Sequence, residues 1–144
     1  MTDPLLLIDT ADGVRTIRVN RPDKLNALNA ATLNALDAAF ADAASDDAVR
    51  VVVLTGNGQK AFVAGADIAE MNALTPVQGR DFSLRGTRMM RRIEKLPKPV
   101  IAMVNGFALG GGLELAAKKA LQQSGKFIPW QVVTVTVDGR LVEE

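Results

Sequence analysis

The stretch of this chain best suited to chemistry is Asn105-Gly106-Phe107-Ala108-Leu109-Gly110-Gly111-Gly112-Leu113-Glu114-Leu115-Ala116. The apolar run Val100-Ile101-Ala102-Met103-Val104 before it reads as a strand, and Leu113 to about Gln123 after it as a helix. Three glycines therefore stand where a strand becomes a helix. Glycine lets backbone N–H groups come close to another atom, and the first N–H groups of a helix are unpaired and carry partial positive charge. Such a turn holds an anion, either a resting phosphate or an oxyanion formed during a reaction. Glu114, two residues past the last glycine, is a candidate general acid or base beside it. A phosphate fits poorly. No Lys-Ser/Thr follows the glycines, Leu115 fails the last position of a dinucleotide fingerprint begun by Gly110 and Gly112, and Glu114 would repel the ligand. A transient oxyanion fits better, set against a plain Gly-rich turn in which Glu114 is a favourable first-turn charge.

A second stretch has similar character. In Ala61-Phe62-Val63-Ala64-Gly65-Ala66-Asp67-Ile68, small residues crowd around Gly65, where backbone can again approach a ligand or pack tightly under a neighbouring loop. The chain has no His, Cys or Tyr, so Ser-His-Asp and Cys-His catalysis and His/Cys zinc sites are excluded. Proton transfer falls to Asp, Glu, Lys or water, and no metal site is expected. A net charge of +1 gives no global field toward nucleic acid or membrane, and 4% aromatic residues do not make a base-stacking surface. No apolar run approaches the roughly 20 residues of a membrane span. The N-terminus lacks a basic segment before Leu5-Leu6-Leu7-Ile8, so a cytoplasmic protein is expected.

Positioning these stretches requires a core, and the 48% hydrophobic content supplies one for a single domain. Leu5–Asp9 and Val14–Asn20 read as two strands around an Asp12-Gly13 turn, with Arg15, Ile17 and Val19 on one face. Asn29 can cap a helix to about Ala44 whose buried stripe is Leu33, Leu36, Phe40 and Ala43. Arg50–Gly56 reads as a strand buried on both faces of a parallel sheet. Thr75, Pro76 and Gln78 announce a helix to about Leu96, with Phe82, Met89, Ile93 and Leu96 inward. Its face of Arg80, Arg85, Arg88, Arg91 and Arg92 is either solvated or a surface for an anionic ligand. Strand, helix and strand together suggest a crossover in an α/β sheet. Past Ala116 the helix is expected to continue to a Gly125 cap, and Gln131–Val137 to form a strand that covers a sheet edge or pairs with a second chain.

Three segments taken together carry a resemblance. They are Arg21-Pro22-Asp23-Lys24-Leu25-Asn26-Ala27-Leu28, then Ala61 to Ile68, then Val104 to Ala116. In this order and spacing, residues of about 5–116 resemble the N-terminal part of the crotonase family, the enoyl-CoA hydratase/isomerase superfamily. The resemblance implies an α/β, crotonase-like ββα spiral and an acyl-CoA thioester as ligand. No separate cofactor is implied, because coenzyme A is part of the substrate. It also implies that the N–H groups of Ala66 and Gly111 form an oxyanion hole for the thioester oxygen and that Glu114 matches a catalytic glutamate. Lys24, Ala27 and Leu28 would help hold the CoA moiety. Ala64, Asp67 and Ile68 would lie in the acyl and pantetheine region and Gly110 would also bind substrate, although Ala69 stands where relatives often carry a polar or basic residue.

From about residue 117 the pattern departs from the family. A second catalytic carboxylate is implied further along, where this chain has Val133-Thr134-Val135. The expectation is a crotonase-like core over 1–116 and a divergent tail over 117–144 packed on the same domain, a truncated spiral closed by a non-family helix and strand. Two functions follow: an enoyl-CoA hydratase-like enzyme, or a folded crotonase-derived chain without turnover. A CoA-ester binding module is a third. Exposed half-core surface implies a homo-oligomer.

Overall fold

Asp12 and Gly13 both adopt positive φ, 52° and 81°, which a two-residue turn between right-twisted strands demands. The turn joins β1 (Leu6–Ala11) to β2 (Val14–Val19) in antiparallel register, with Ile8 opposite Ile17. The computed structural model describes residues 3–117 and the backbone of Val133–Thr134. The helix expected from Lys118 to a Gly125 cap lies outside the described residues.

On its other edge β2 pairs in parallel with β3 (Val51–Gly56), and β3 with β5 (Val100–Val104). The β-branched run of β3 is thus central in the sheet, as its continuous apolar character predicts. β7 (Val133–Thr134) adds in parallel to the open edge of β5, Met103 opposite Val133, so this part of the expected tail strand sits on the sheet edge. The order is β1-β2-β3-β5-β7.

Arg15, Ile17 and Val19 share the buried face of β2, as alternation requires. The Arg15 charge stays there because its guanidinium donates to the carboxylates of Asp42 and Asp46 and to the Thr10 hydroxyl. Asp42 lies in α1 (Ala30–Ser45), and Asp46 is its C-cap. The Asn29 side chain accepts from the Thr32 N–H, and α1 lays Leu33, Leu36, Phe40 and Ala43 into the core. Lys98 donates to the carbonyls of Ala43 and Asp46 at the end of that helix, where unpaired carbonyls attract a cation.

α3 (Pro76–Lys95) starts with a complete capping box between Thr75 and Gln78. Met89 and Ile93, followed by Leu96, bury against the shared core, with Phe82 packed on its margin. Arg92 grips both carboxylate oxygens of Asp37 at 2.6 and 3.2 Å, and Arg85 reaches Asn34 at 3.0 Å, joining α3 to α1.

The structure differs from the sequence reading around the glycines. Ala61–Val63 forms a short strand, β4, in parallel with β6 (Phe107–Ala108), making a second, two-stranded sheet. Asp67 caps a short helix, α2 (Ile68–Asn72). The last described helix, α4 (Gly111–Ala117), starts at Gly111 rather than Leu113. The described residues therefore hold four α-helices, where three were expected. These elements are too short to show a periodicity, and glycine weakens a helix unless packing requires it.

Candidate active site

Two side-chain amides hold the frame of the site. Asn105, just past β5, donates to the carbonyls of Gly56 and Gly58 and accepts from the Gly56 N–H. Thr55 adds a bond from its hydroxyl to the Met103 carbonyl. Asn26, fully buried with φ of 55°, accepts from the Arg21 N–H and donates to the carbonyls of Asn57 and Ala61. The segment from Arg21 to Leu28 is thereby tied to the start of β4. Sequence reasoning assigned no role to Asn26. The signal available was its position in a break after β2, where asparagine tolerates the left-handed region better than other side chains do.

The β4–β6 pairing then sets the two glycine stretches side by side. Leu109 N–H donates to the Val63 carbonyl at 3.1 Å, and a Cβ on Gly65 would lie 3.2 Å from the Leu109 oxygen. Gly65 and Gly110 have φ of +102° and +50°, so both turns use left-handed backbone. Leu28 makes a parallel bridge to Ala66, in which Leu28 N–H donates to the Gly65 carbonyl and Asp67 N–H to the Leu28 carbonyl. That pattern turns the Ala66 N–H away from Leu28. Among the described residues, neither the Ala66 N–H nor the Gly111 N–H donates to a partner.

Ala66, Gly111 and Glu114 line one cleft of about 200 Å³, walled by Leu28, Leu33, Phe82 and Met90. Ser83 and Thr87 of α3 also face it. The sequence reading placed Phe82 in the inward stripe of α3 but did not foresee that this stripe ends as a wall of the cleft. Glu114 sits in the first turn of α4, is exposed, and is the one carboxylate among the described lining residues. Two free N–H groups and a carboxylate around an apolar cleft are the parts needed to hold a developing oxyanion and move a proton beside it.

Of the remaining candidates Leu28 lines the cleft, whereas Lys24, Ala27, Ala64, Asp67, Ile68 and Gly110 are not part of its lining. Lys24 is exposed on the short 3-10 turn Pro22–Lys24, and Ile68 is 71% exposed at the start of α2. Ala64 N–H pairs with the Leu25 carbonyl, the Ala27 carbonyl accepts from Arg21, and Gly110 shapes the turn before Gly111. Asp67 serves the framework, since one of its oxygens takes Arg21 at 2.8 Å and the other accepts from the Glu70 N–H at 3.3 Å. No group of three or more His, Cys, Asp or Glu that could hold a metal occurs among the described residues. No helix among the described residues is long and apolar enough to cross a membrane.

The Arg21 hydrogen bond, helped by the Glu70 N–H, holds the Asp67 carboxyl below its ordinary pKa. A depressed folded-state pKa contributes stability that is present above the unfolded value, near 3.9, and is lost as pH falls through the folded value. Asp67→Asn is therefore expected to be less stable than the parent at neutral pH. The difference should shrink as pH drops below about 4. Urea midpoints measured across that range would show it, and a gap that stays constant with pH would contradict the assignment.

Fold and site together describe an α/β protein with a mixed sheet and a cleft between two glycine turns. A model of the enoyl-CoA hydratase/isomerase family matches residues 9–118. The chain belongs to that family, and its fold is the crotonase-like one. The short-chain-enoyl-CoA hydratase of Clostridium acetobutylicum is 48% identical over 111 residues, covering 77% of this chain and 42% of that protein. The crotonyl-CoA hydratase of Syntrophomonas wolfei is 45% identical over 111 residues, covering 77% and 43%. Among solved structures, an enoyl-CoA hydratase from Bacillus anthracis superposes with a TM-score of 0.76 at 39% identity, covering 78% of this chain and 44% of that one. The chain thus spans less than half the length of the relatives it matches.

Proposed function

We propose that this chain acts on an acyl-CoA thioester by hydratase chemistry, adding water across a 2-enoyl-CoA. The observation that carries the reading is the shared cleft: Ala66, Gly111 and Glu114, from two distant stretches, line one apolar space. The thioester carbonyl would accept from the Ala66 and Gly111 N–H groups. As water adds at C3, the C2–C3 π electrons move to C2 and the carbonyl, giving an enolate. The two N–H groups bind this oxygen more strongly than the neutral carbonyl, which lowers the barrier rather than only aiding binding. Glu114 takes the proton from the attacking water and can return it to C2, so the net change is addition of one water. Lys24, Ala27 and Leu28 would approach the CoA moiety, and Ala64, Asp67, Ile68 and Gly110 the thioester arm. The substrate brings its own coenzyme A, and the reaction needs no further cofactor. A cytoplasmic homo-oligomer is the expected setting, and the exposed Phe107, Leu109 and Leu113 favour a partner surface.

A second reading has its own support. Glu114 is the one carboxylate among the described residues of the cleft lining. A cleft in which Glu114 is the single acid–base group would bind the thioester and polarise it with little or no turnover.

The test is hydration of crotonyl-CoA, followed by loss of the conjugated thioester absorbance, with Glu114→Gln beside the parent. In an active protein the substitution is expected to lower kcat by about 10²–10⁴-fold while leaving thioester binding in place. Binding without turnover in either protein would favour the second reading. Turnover unchanged by the substitution would remove Glu114 from the mechanism.

A further inference from the structure

α3 carries a second concave feature, separate from the cleft already described. Arg88, Arg91, Arg92 and Lys95 line a depression of about 320 Å³ floored by Ala44, Leu96 and Pro97. Among the described residues its lining has four cations and no acid. Arg92 is neutralised by Asp37. Arg88, Arg91 and Lys95 are exposed and make no ion pair among the described residues. The pairs Arg88/Arg91 and Arg91/Lys95 are three and four residues apart, where like charges on a helix destabilise it. The negative end of the helix dipole offsets this for Lys95 in the last turn. It does less for Arg88 and Arg91, which lie further back.

We propose that this depression is a binding site for a phosphate-bearing small molecule. Guanidinium groups match phosphate oxygens in charge and planar geometry, and an anion placed among them relieves their mutual repulsion. Among the described residues the lining has no aromatic ring on which a base could stack, which disfavours a nucleic-acid strand. With about 3.6 residues per turn, the positions lining the depression fall roughly opposite those of Phe82, Gly86 and Met90, which face the Glu114 cleft. The two sites are therefore on different sides of α3, and this inference does not depend on the thioester reading.

The probe is inorganic pyrophosphate, titrated calorimetrically at low ionic strength. One-to-one saturable binding is expected, weakened about tenfold or more in the double variant Arg88→Ala/Arg91→Ala, and weakened by added salt in the parent. Arg80→Ala, an arginine of the same helix outside the depression, and Glu114→Gln should leave the affinity unchanged. These are exposed positions, so the variants are expected to fold. Absence of saturable binding overturns the proposal. So does an equal loss in Arg80→Ala, which would mark a diffuse response to the basic helix, or an affinity indifferent to the double substitution.

Discussion

Gly112→Ala is expected to destabilise the fold by about 3 kcal/mol or more and to abolish any activity of the cleft. Gly112 is buried in the first turn of α4, and a Cβ there would be driven into the Val63 carbonyl, with the Val63 carbonyl carbon 2.8 Å away. Neither partner is a flexible side-chain tip: one is helix backbone and the other the end of β4. The added methyl can be accommodated only by separating α4 from β4. That shift moves Gly111 and Glu114 relative to Ala66, because β4 leads directly into the Gly65 turn. Gly79→Ala is the opposing control. Nothing lies within 4 Å of a Cβ at Gly79, so alanine there should stabilise α3 by up to about 1 kcal/mol through helix propensity. Urea midpoints for both variants check the pair. Equal and small effects at the two glycines would mean that α4 does not pack on β4 as described.

Asn26→Ala should have the second largest effect. The side chain is fully buried and serves one backbone donor and two backbone acceptors. Its removal strands the Arg21 N–H and the Asn57 and Ala61 carbonyls, each costing about 1–3 kcal/mol if water cannot replace the amide. Alanine also tolerates the left-handed backbone at this position less well than asparagine. A loss of about 3–5 kcal/mol is expected. Asn26→Asp separates shape from hydrogen bonding. It keeps the acceptor for Arg21 but turns an oxygen toward the Asn57 and Ala61 carbonyls, so it should be destabilised as well. Thermal unfolding of both variants tests this, and an aspartate variant as stable as the parent would show that the donated bonds contribute little.

The long elements were legible because each carries its own local instruction. Asp12-Gly13 demands a tight turn, Asn29 and Thr75 cap their helices, and the inward stripes of α1 and α3 repeat at helical spacing. The short elements were not. The three buried residues of β4 and the two residues of β6, one of them exposed, have no period to read, and their pairing joins positions more than forty residues apart in sequence. Asp67 shows the same limit in the site: its pairing with Arg21, forty-six positions away, and its cap of α2 engage both its oxygens.

What the sequence determined by itself was the chemistry on offer. Without His, Cys or Tyr, a carboxylate beside glycine-rich backbone was the strongest catalytic feature, and Glu114, Gly111 and Ala66 could be named from it and from the family motifs. Only the tertiary structure decided that these three face one cleft, that Phe82 and Met90 wall it, and that the cations of α3 gather on its other side. Those facts depend on contacts between distant segments. A residue's type and local spacing set what it can do, while the packing of β4 on β6 and of α3 on α1 sets what stands opposite it.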